Sequence, residues 1–305
     1  MRLLTALSIV VVLAVAGCAG GDDPSGATRS GGDPAQAPLR IGTKNFTEQF
    51  VLGELYRQAL EAKGFPVELK VNVGSSEIIH EALTGGALDM YPEYLGVLLS
   101  EVANERARPS SPRAAYAAAT AFEERNGFTL LGMTPFSDAN ALAVTPEFAR
   151  DEGVRAIADL GRVRGIVRIG APPEFRTRFE GLIGLNQRYG LRNVRAIPMT
   201  IGEQYEALAE GRVDVAAVFT TAGQLAQGRY VLLRDPRELF GTQHVAPVIS
   251  RRAVQRFGPG LSATIDAVSR RLTATAMRRM NAAVDLDGRK PDAVADEFLR
   301  EQGLK

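Results

Sequence analysis

An α/β protein of two similar lobes, with mostly parallel sheets and two hinge crossovers between them, is the fold that three features of the sequence predict. Short apolar strands alternate with amphipathic helices from Leu39 onward, a βαβαβ order that calls for a parallel sheet covered by helices. A second run of the same kind begins near Asp159. The stretch EALTGGALDMYPEYLG from Glu81 also lies without a gap over EALAEGRVDVAAVFTT from Glu206, matching Gly86 with Gly211, Asp89 with Asp214 and Tyr94 with Phe219.

The elements follow in order. Met1 and Arg2 lead an apolar run from Leu3 to Ala16 that is shorter than the ~18 residues a membrane-spanning helix needs, and so reads as a secretory signal. It ends VAGC at Val15 to Cys18, which resembles a bacterial lipoprotein signal whose cysteine is lipidated; a plain signal peptide with a chance cysteine is the alternative. Ala19 to Pro38 is rich in Gly, Ser, Asp and Pro and is expected to be a flexible tether.

LRIGT (Leu39 to Thr43) reads as the first strand, followed by a helix from Glu48 to Lys63, capped by Asn45 or Thr47 and stopped at Gly64. VELKVNV (Val67 to Val73) alternates as a strand, and Ser75 or Ser76 opens the next helix. Leu88 to Tyr91 reads as a buried strand that runs into Pro92 and presents Tyr94 on a turn. Ala114 to Asn126 is expected to be helical, and ANALAVT (Ala139 to Thr145) to be the strand crossing out of the first lobe.

In the second lobe, strands are expected at Val167 to Gly170, Val194 to Ile197 and Val213 to Phe219, with helices from Glu174 onward and over Ile201 to Ala209. VAPVIS (Val245 to Ser250) reads as the returning crossover, and helices around Leu261 to Ala283 and Pro291 to Gln302 as packing back on the first lobe. The expected division is residues 1–18 signal, 19–38 tether, 39–143 with 246–305 as the first lobe, and 144–245 as the second.

Composition narrows the chemistry. Lys plus Arg number 36 against 35 for Asp plus Glu, so no global field draws the chain to nucleic acid. The single cysteine, Cys18, leaves the body without thiol chemistry, and no motif with metal-ligand spacing, P-loop or nucleophile elbow is present. A binding protein without cofactor or metal is expected rather than an enzyme.

In open α/β sheets ligands bind beyond the carboxyl ends of the strands. Lys44, at the start of a helix, is a candidate carboxylate ligand, as are Arg176 and Arg178 in the corresponding loop, with Glu174 as a group that could orient the arginine. Taken alone, these charges read equally well as solvated surface groups. Tyr94 and Phe219 offer aromatic faces to a substituted ammonium; a lone ring at a sheet end is more often a core residue, and the repeat is what favours a site. Tyr56, Tyr116, Tyr189 and Tyr205 read as packing residues.

The motifs IGTKNFTEQF (Ile41 to Phe50), HEALTGGALDMYPEYLG (His80 to Gly96), PEFRTR (Pro173 to Arg178) and VDVAAVFTT (Val213 to Thr221), with the closing FLREQGL, resemble the substrate-binding proteins of osmoprotectant (glycine betaine, choline, carnitine) ABC importers. The resemblance runs from about Leu39 to the C-terminus. It implies a type II periplasmic-binding-protein fold that closes on a zwitterionic or quaternary-ammonium solute and hands it to a membrane permease. It further implies a monomer, held at the extracytoplasmic face by the lipid on Cys18.

By the same resemblance, Lys44 and Arg178 hold the carboxylate and Tyr94 is a wall of the cation cage. Phe219 stands where a tyrosine is common, Asn140 and His244 where other cage tyrosines sit, and Val97 where a threonine assists the carboxylate. The changed walls add hydrogen-bonding capacity, so a more polar zwitterion such as carnitine, ergothioneine or an amino acid, or another small amine, is a second reading. An enzyme on the same architecture, as in porphobilinogen deaminases, needs a cysteine that the body lacks. A solute-sensing module is the remaining alternative.

Overall fold

A computed structural model describes residues 37–305 apart from 106–108. The signal-like segment, Cys18 and the tether up to residue 36 lie outside the described residues.

Among the described residues, ten strands form two five-stranded sheets. They are β1 (Leu39–Lys44), β2 (Val67–Gly74), β3 (Met90–Tyr94), β4 (Phe128–Leu130), β5 (Asn140–Val144), β6 (Val167–Ala171), β7 (Val194–Pro198), β8 (Val215–Phe219), β9 (Val231–Leu232) and β10 (Val245–Ser250). The first sheet has the order β2-β1-β3-β10-β4 and the second β7-β6-β8-β5-β9. Each carries the same mixture. β1 pairs in parallel with β2 and β3, as β6 does with β7 and β8, while β10 and β5 run antiparallel to both of their neighbours. The sheets are therefore half antiparallel rather than mostly parallel, because β5 and β10 each enter from the other lobe and meet their sheet head-on.

The first crossover lies upstream of where the residue pattern suggests. β5 hydrogen-bonds wholly within the second sheet, Asn140 opposite Phe219, so the chain leaves the first sheet after β4 and not near residue 143. An apolar run pairs equally well in either sheet, and local sequence does not say which. The two crossovers themselves run side by side. Ser137 bridges His244, Asp138 N–H donates to the Gln243 carbonyl at 3.0 Å, and Thr134 N–H donates to that of Val245 at 2.8 Å.

Helix α1 (Thr47–Glu61) follows β1, and Val51, Leu52, Leu55 and Leu60 along it are fully buried. They pack with Leu261, Ile265, Phe298 and Leu299 of the C-terminal helices, so those helices do complete the first lobe. Helix α2 (Ser76–Thr84) covers the other face of the first sheet through Ile79 and Leu83. The loop from Glu174 is less regular than expected, with a 3-10 turn over Pro173–Arg176 before an irregular helix over Phe179–Ile183.

The internal repeat has a shared physical basis. Asp89 accepts from the backbone N–H and guanidinium of Arg40, and Asp214 from those of Arg168. Both arginines also donate to the carbonyl of a left-handed glycine, Gly86 with φ +73° and Gly211 with φ +71°. That conformation suits glycine and ends the helix before each strand.

Candidate binding cleft between the lobes

The repeat ends each copy on an aromatic at the mouth of its sheet. Tyr94 closes β3 opposite Val245, the first residue of β10, and Phe219 closes β8 opposite Asn140, the first residue of β5. Because those partners are where the crossovers arrive, both rings stand beside the hinge and face the gap between the lobes. Phe46, just before α1, fills that gap. Its ring stacks on Phe219 at 5.1 Å and on Tyr94 at 6.1 Å between centroids, with interplanar angles of 20° and 26°.

Beside this stack lies a chamber open to solvent and lined from both lobes. Lys44, Tyr94, Asn140, Arg178 and Phe219 all line it, with contributions from both lobes. His244 does not. Its Nδ1 lies 2.9 Å from the Thr134 carbonyl, so the ring is spent on the hinge, and the neighbouring Gln243 lines the chamber instead. The expectation for His244 is corrected for a simple reason: adjacent residues of an extended segment point to opposite faces.

The charged groups are already engaged. Lys44 is buried, with Nζ 2.5 Å from Glu93 Oε1 and 3.0 Å from Ser76 Oγ, and 4.2 Å from the centre of the Tyr94 ring. Burial pulls its pKa down and the Glu93 carboxylate opposes that pull. Arg178 holds Glu77 of α2, in the other lobe, through a forked contact: Nη2 to Oε2 at 2.9 Å and Nε to Oε1 at 3.2 Å. Its partner is therefore Glu77 and not Glu174, which lines the chamber nearby. Burial pulls the Glu77 carboxyl upward, but Arg178 and Ser75 outweigh it and hold it at about 2.

Behind the rings, Tyr94 Oη donates to Glu48 Oε1 at 2.8 Å, while Glu48 Oε2 accepts from Asn281 Nδ2 at 3.0 Å and from Thr221 Oγ1 of the other lobe. Burial pushes the Glu48 carboxyl up against these bonds. On the opposite side, Glu180 accepts from Asn140 Nδ2 at 3.1 Å and Gln243 Nε2 at 2.8 Å, and Gln243 Oε1 accepts from Val97 N–H at 3.1 Å. Asn140 and Val97 thus reach the chamber as parts of a polar network that spans the lobes.

Several of these residues escape a reading of the sequence. Phe46 stands two residues from Lys44 in the KNF of the first motif, so its ring was in view, but not that it stacks on both others. Glu77, Glu93, Asp138 and Gln243 have no local signature; only the closing of two distant segments makes them neighbours. Tyr205, read as a packing residue, lines a second opening on the other side of Phe46. Among the described residues no group of His, Cys, Asp and Glu is placed to hold a metal, and no helix is long and apolar enough to cross a membrane.

What the arrangement offers is aromatic surface for a cation and, in the same chamber, an arginine and a lysine for an anion. Known proteins are similar in fold and in sequence. The chain is 32% identical over 277 residues to a glycine-betaine-binding protein of Pseudomonas aeruginosa, covering 87% of this chain and 88% of that one. A glycine betaine-binding protein of Escherichia coli is 26% identical over 281 residues, covering 88% and 92%. A crystal structure described as a glycine betaine/carnitine/choline ABC transporter superposes with a TM-score of 0.70 at 27% identity, covering 87% of this chain and 99% of that one. The family model for the substrate-binding domain of ABC-type glycine betaine transport systems matches residues 37–301, and the chain belongs to that family.

Proposed function

We propose that this protein captures a quaternary-ammonium zwitterion of the glycine betaine type in the interlobe chamber and delivers it to an ABC permease. The substituted ammonium rests on the ring surface of Tyr94, Phe46 and Phe219, each contact contributing roughly 0.5–2 kcal/mol. Arg178 and Lys44 take the carboxylate, with Asn140 and Val97 at the side of the chamber. The observation that carries this reading is the juxtaposition of the three-ring stack with Arg178 and Lys44 in one chamber shared by both lobes.

Binding then consists of exchange. The carboxylate replaces Glu77 on Arg178, and the ammonium replaces the Lys44 Nζ that covers the Tyr94 face at 4.2 Å. Binding and release, without a catalytic step, is the proposed activity. The protein acts as a monomer at the extracytoplasmic face, anchored through lipid on Cys18.

The network of Asn140, Gln243 and Glu180 favours a second reading, a zwitterion with an extra polar group such as carnitine. Isothermal titration of the full chain with glycine betaine, carnitine, choline and free amino acids separates the two. Tightest binding of glycine betaine supports the first, tightest binding of carnitine or of an amino acid the second, and binding of none of them refutes both.

A further inference from the structure

The aromatic face of the chamber carries a cation of the protein's own. Lys44 ends β1, and its Nζ stands 4.2 Å from the centre of the Tyr94 ring and 5.9 Å from that of Phe46. A substituted ammonium seeks the same ring surface for the same electrostatic reason, so the two compete. Lys44, Phe46, Ser76 and Tyr94 all line the chamber, which puts this contact where a solute arrives.

Nζ is held in that position from two sides. Glu93, 1% exposed, precedes Tyr94 in β3, and its Oε1 accepts both from Nζ at 2.5 Å and from the Tyr94 backbone N–H at 2.6 Å. One oxygen thus ties the ammonium to the residue whose ring it covers. Ser76 Oγ, in the first turn of α2, accepts from Nζ at 3.0 Å. A lysine ammonium has three N–H donors, so two are spent and the third is left for a guest. Burial disfavours the charged form of Nζ and Arg178 adds to that, while contact with Glu93, helped by Glu77, favours it.

Two kinds of guest meet this lysine differently. Choline brings a quaternary ammonium and no anion. To reach Tyr94 it must move Nζ off the ring or sit beside a like charge, and it offers Nζ no acceptor in return. A betaine carries a carboxylate in the same molecule. That carboxylate accepts the third N–H of the displaced Nζ and sets a negative charge beside the two positive ones.

Given a quaternary ammonium on the rings, as the proposed function has it, we propose that Lys44 is a specificity filter as well as a carboxylate ligand. It occupies the place of the ammonium on Tyr94 and yields that place only to a solute whose carboxylate takes up Nζ. Glu93 is the positioning residue of this filter, because it fixes Nζ and Tyr94 to one oxygen.

Titration calorimetry of the full chain with choline and glycine betaine tests this. Lys44→Met with Glu93→Gln removes both charges together, so no buried ion is left alone and the net charge is unchanged, and glutamine keeps an oxygen for the Tyr94 N–H. This double variant is expected to bind choline at least about fivefold more tightly than the parent does, and glycine betaine at least about tenfold more weakly. Ser76→Ala frees Nζ from one of its two acceptors; it is expected to tighten choline about threefold and stands in should the double variant fail to fold. Choline binding that is unchanged in both variants leaves Lys44 a carboxylate ligand alone, and choline binding weakened in both makes the Lys44–Glu93 pair a strut of the chamber; either overturns the inference. A parent that binds no betaine, with choline binding gained in the double variant, refutes the proposed function and leaves the filter standing.

Discussion

Glu77→Gln should tighten the binding of a carboxylate-bearing solute, because Glu77 occupies the guanidinium that the solute needs. Taken at face value, a carboxyl held at about 2 instead of an ordinary glutamate value near 4.3 corresponds to ~3 kcal/mol of interaction with its surroundings. The Glu77 side chain is 42% exposed, however, and solvent screening reduces this to about 1 kcal/mol. Removing the competitor therefore lowers the dissociation constant for glycine betaine about fivefold. Choline has no carboxylate and should be unaffected. The sign with pH follows from the depressed value. The contact is at full strength above the ordinary glutamate range and is lost only as pH falls toward 2, so the fivefold gain should be the same at pH 8 and pH 5. Titration calorimetry of both solutes against parent and variant measures this. Weaker betaine binding in the variant, or equal shifts for betaine and choline, would refute competition and make Glu77 a strut that holds the lobes together.

Four further outcomes follow from the same geometry. Arg178→Ala should raise the dissociation constant for glycine betaine at least about tenfold and, since it shares a contact with Glu77, should not add simply to Glu77→Gln in a double-mutant cycle. Tyr94→Ala removes a ring of the stack and the donor to Glu48; calorimetry should then detect no choline or betaine binding. Gly223→Ala should force the lobes apart, because an added Cβ would lie 2.5 Å from the Ala282 Cα across the cleft, and small-angle scattering should record a larger radius of gyration. Cys18→Ser should move the protein from the membrane to the soluble fraction; persistent membrane association would remove the lipid anchor from the account.

The architecture was legible because it rests on period and punctuation. Alternating apolar strands, glycines that end helices and the recurrence of EAL, Gly and Asp at one offset are written locally, and the structure gives that recurrence a cause in Arg40–Asp89 and Arg168–Asp214. What the pattern does not carry is partner choice. The strand from Asn140 has the same apolar character in either sheet, and the returning β10 could not be read as antiparallel from its own residues.

The candidate site divides in the same way. Lys44, Tyr94, Arg178, Phe219 and Asn140 could be singled out by residue type, their place at strand ends or helix starts, and likeness to a family, and each of these lines the chamber. His244 and Gln243 differ by a single residue, and in an extended crossover one step turns a side chain from the cleft to the hinge. The interlobe partners, Glu77 on Arg178 and Thr221 on Glu48, are separated from them by 101 and 173 positions.

By itself, the sequence determined two lobes, each ending a strand on an aromatic, with cations at the adjoining helix starts, because helices, strands and turns are specified by neighbouring residues. Tertiary structure alone decided that Phe46 stands between the two rings, that Arg178 already holds a carboxylate of the opposite lobe, and that acidic side chains gather behind the stack. Those facts depend on distances between residues far apart in the chain, which only the packing of one lobe on the other sets.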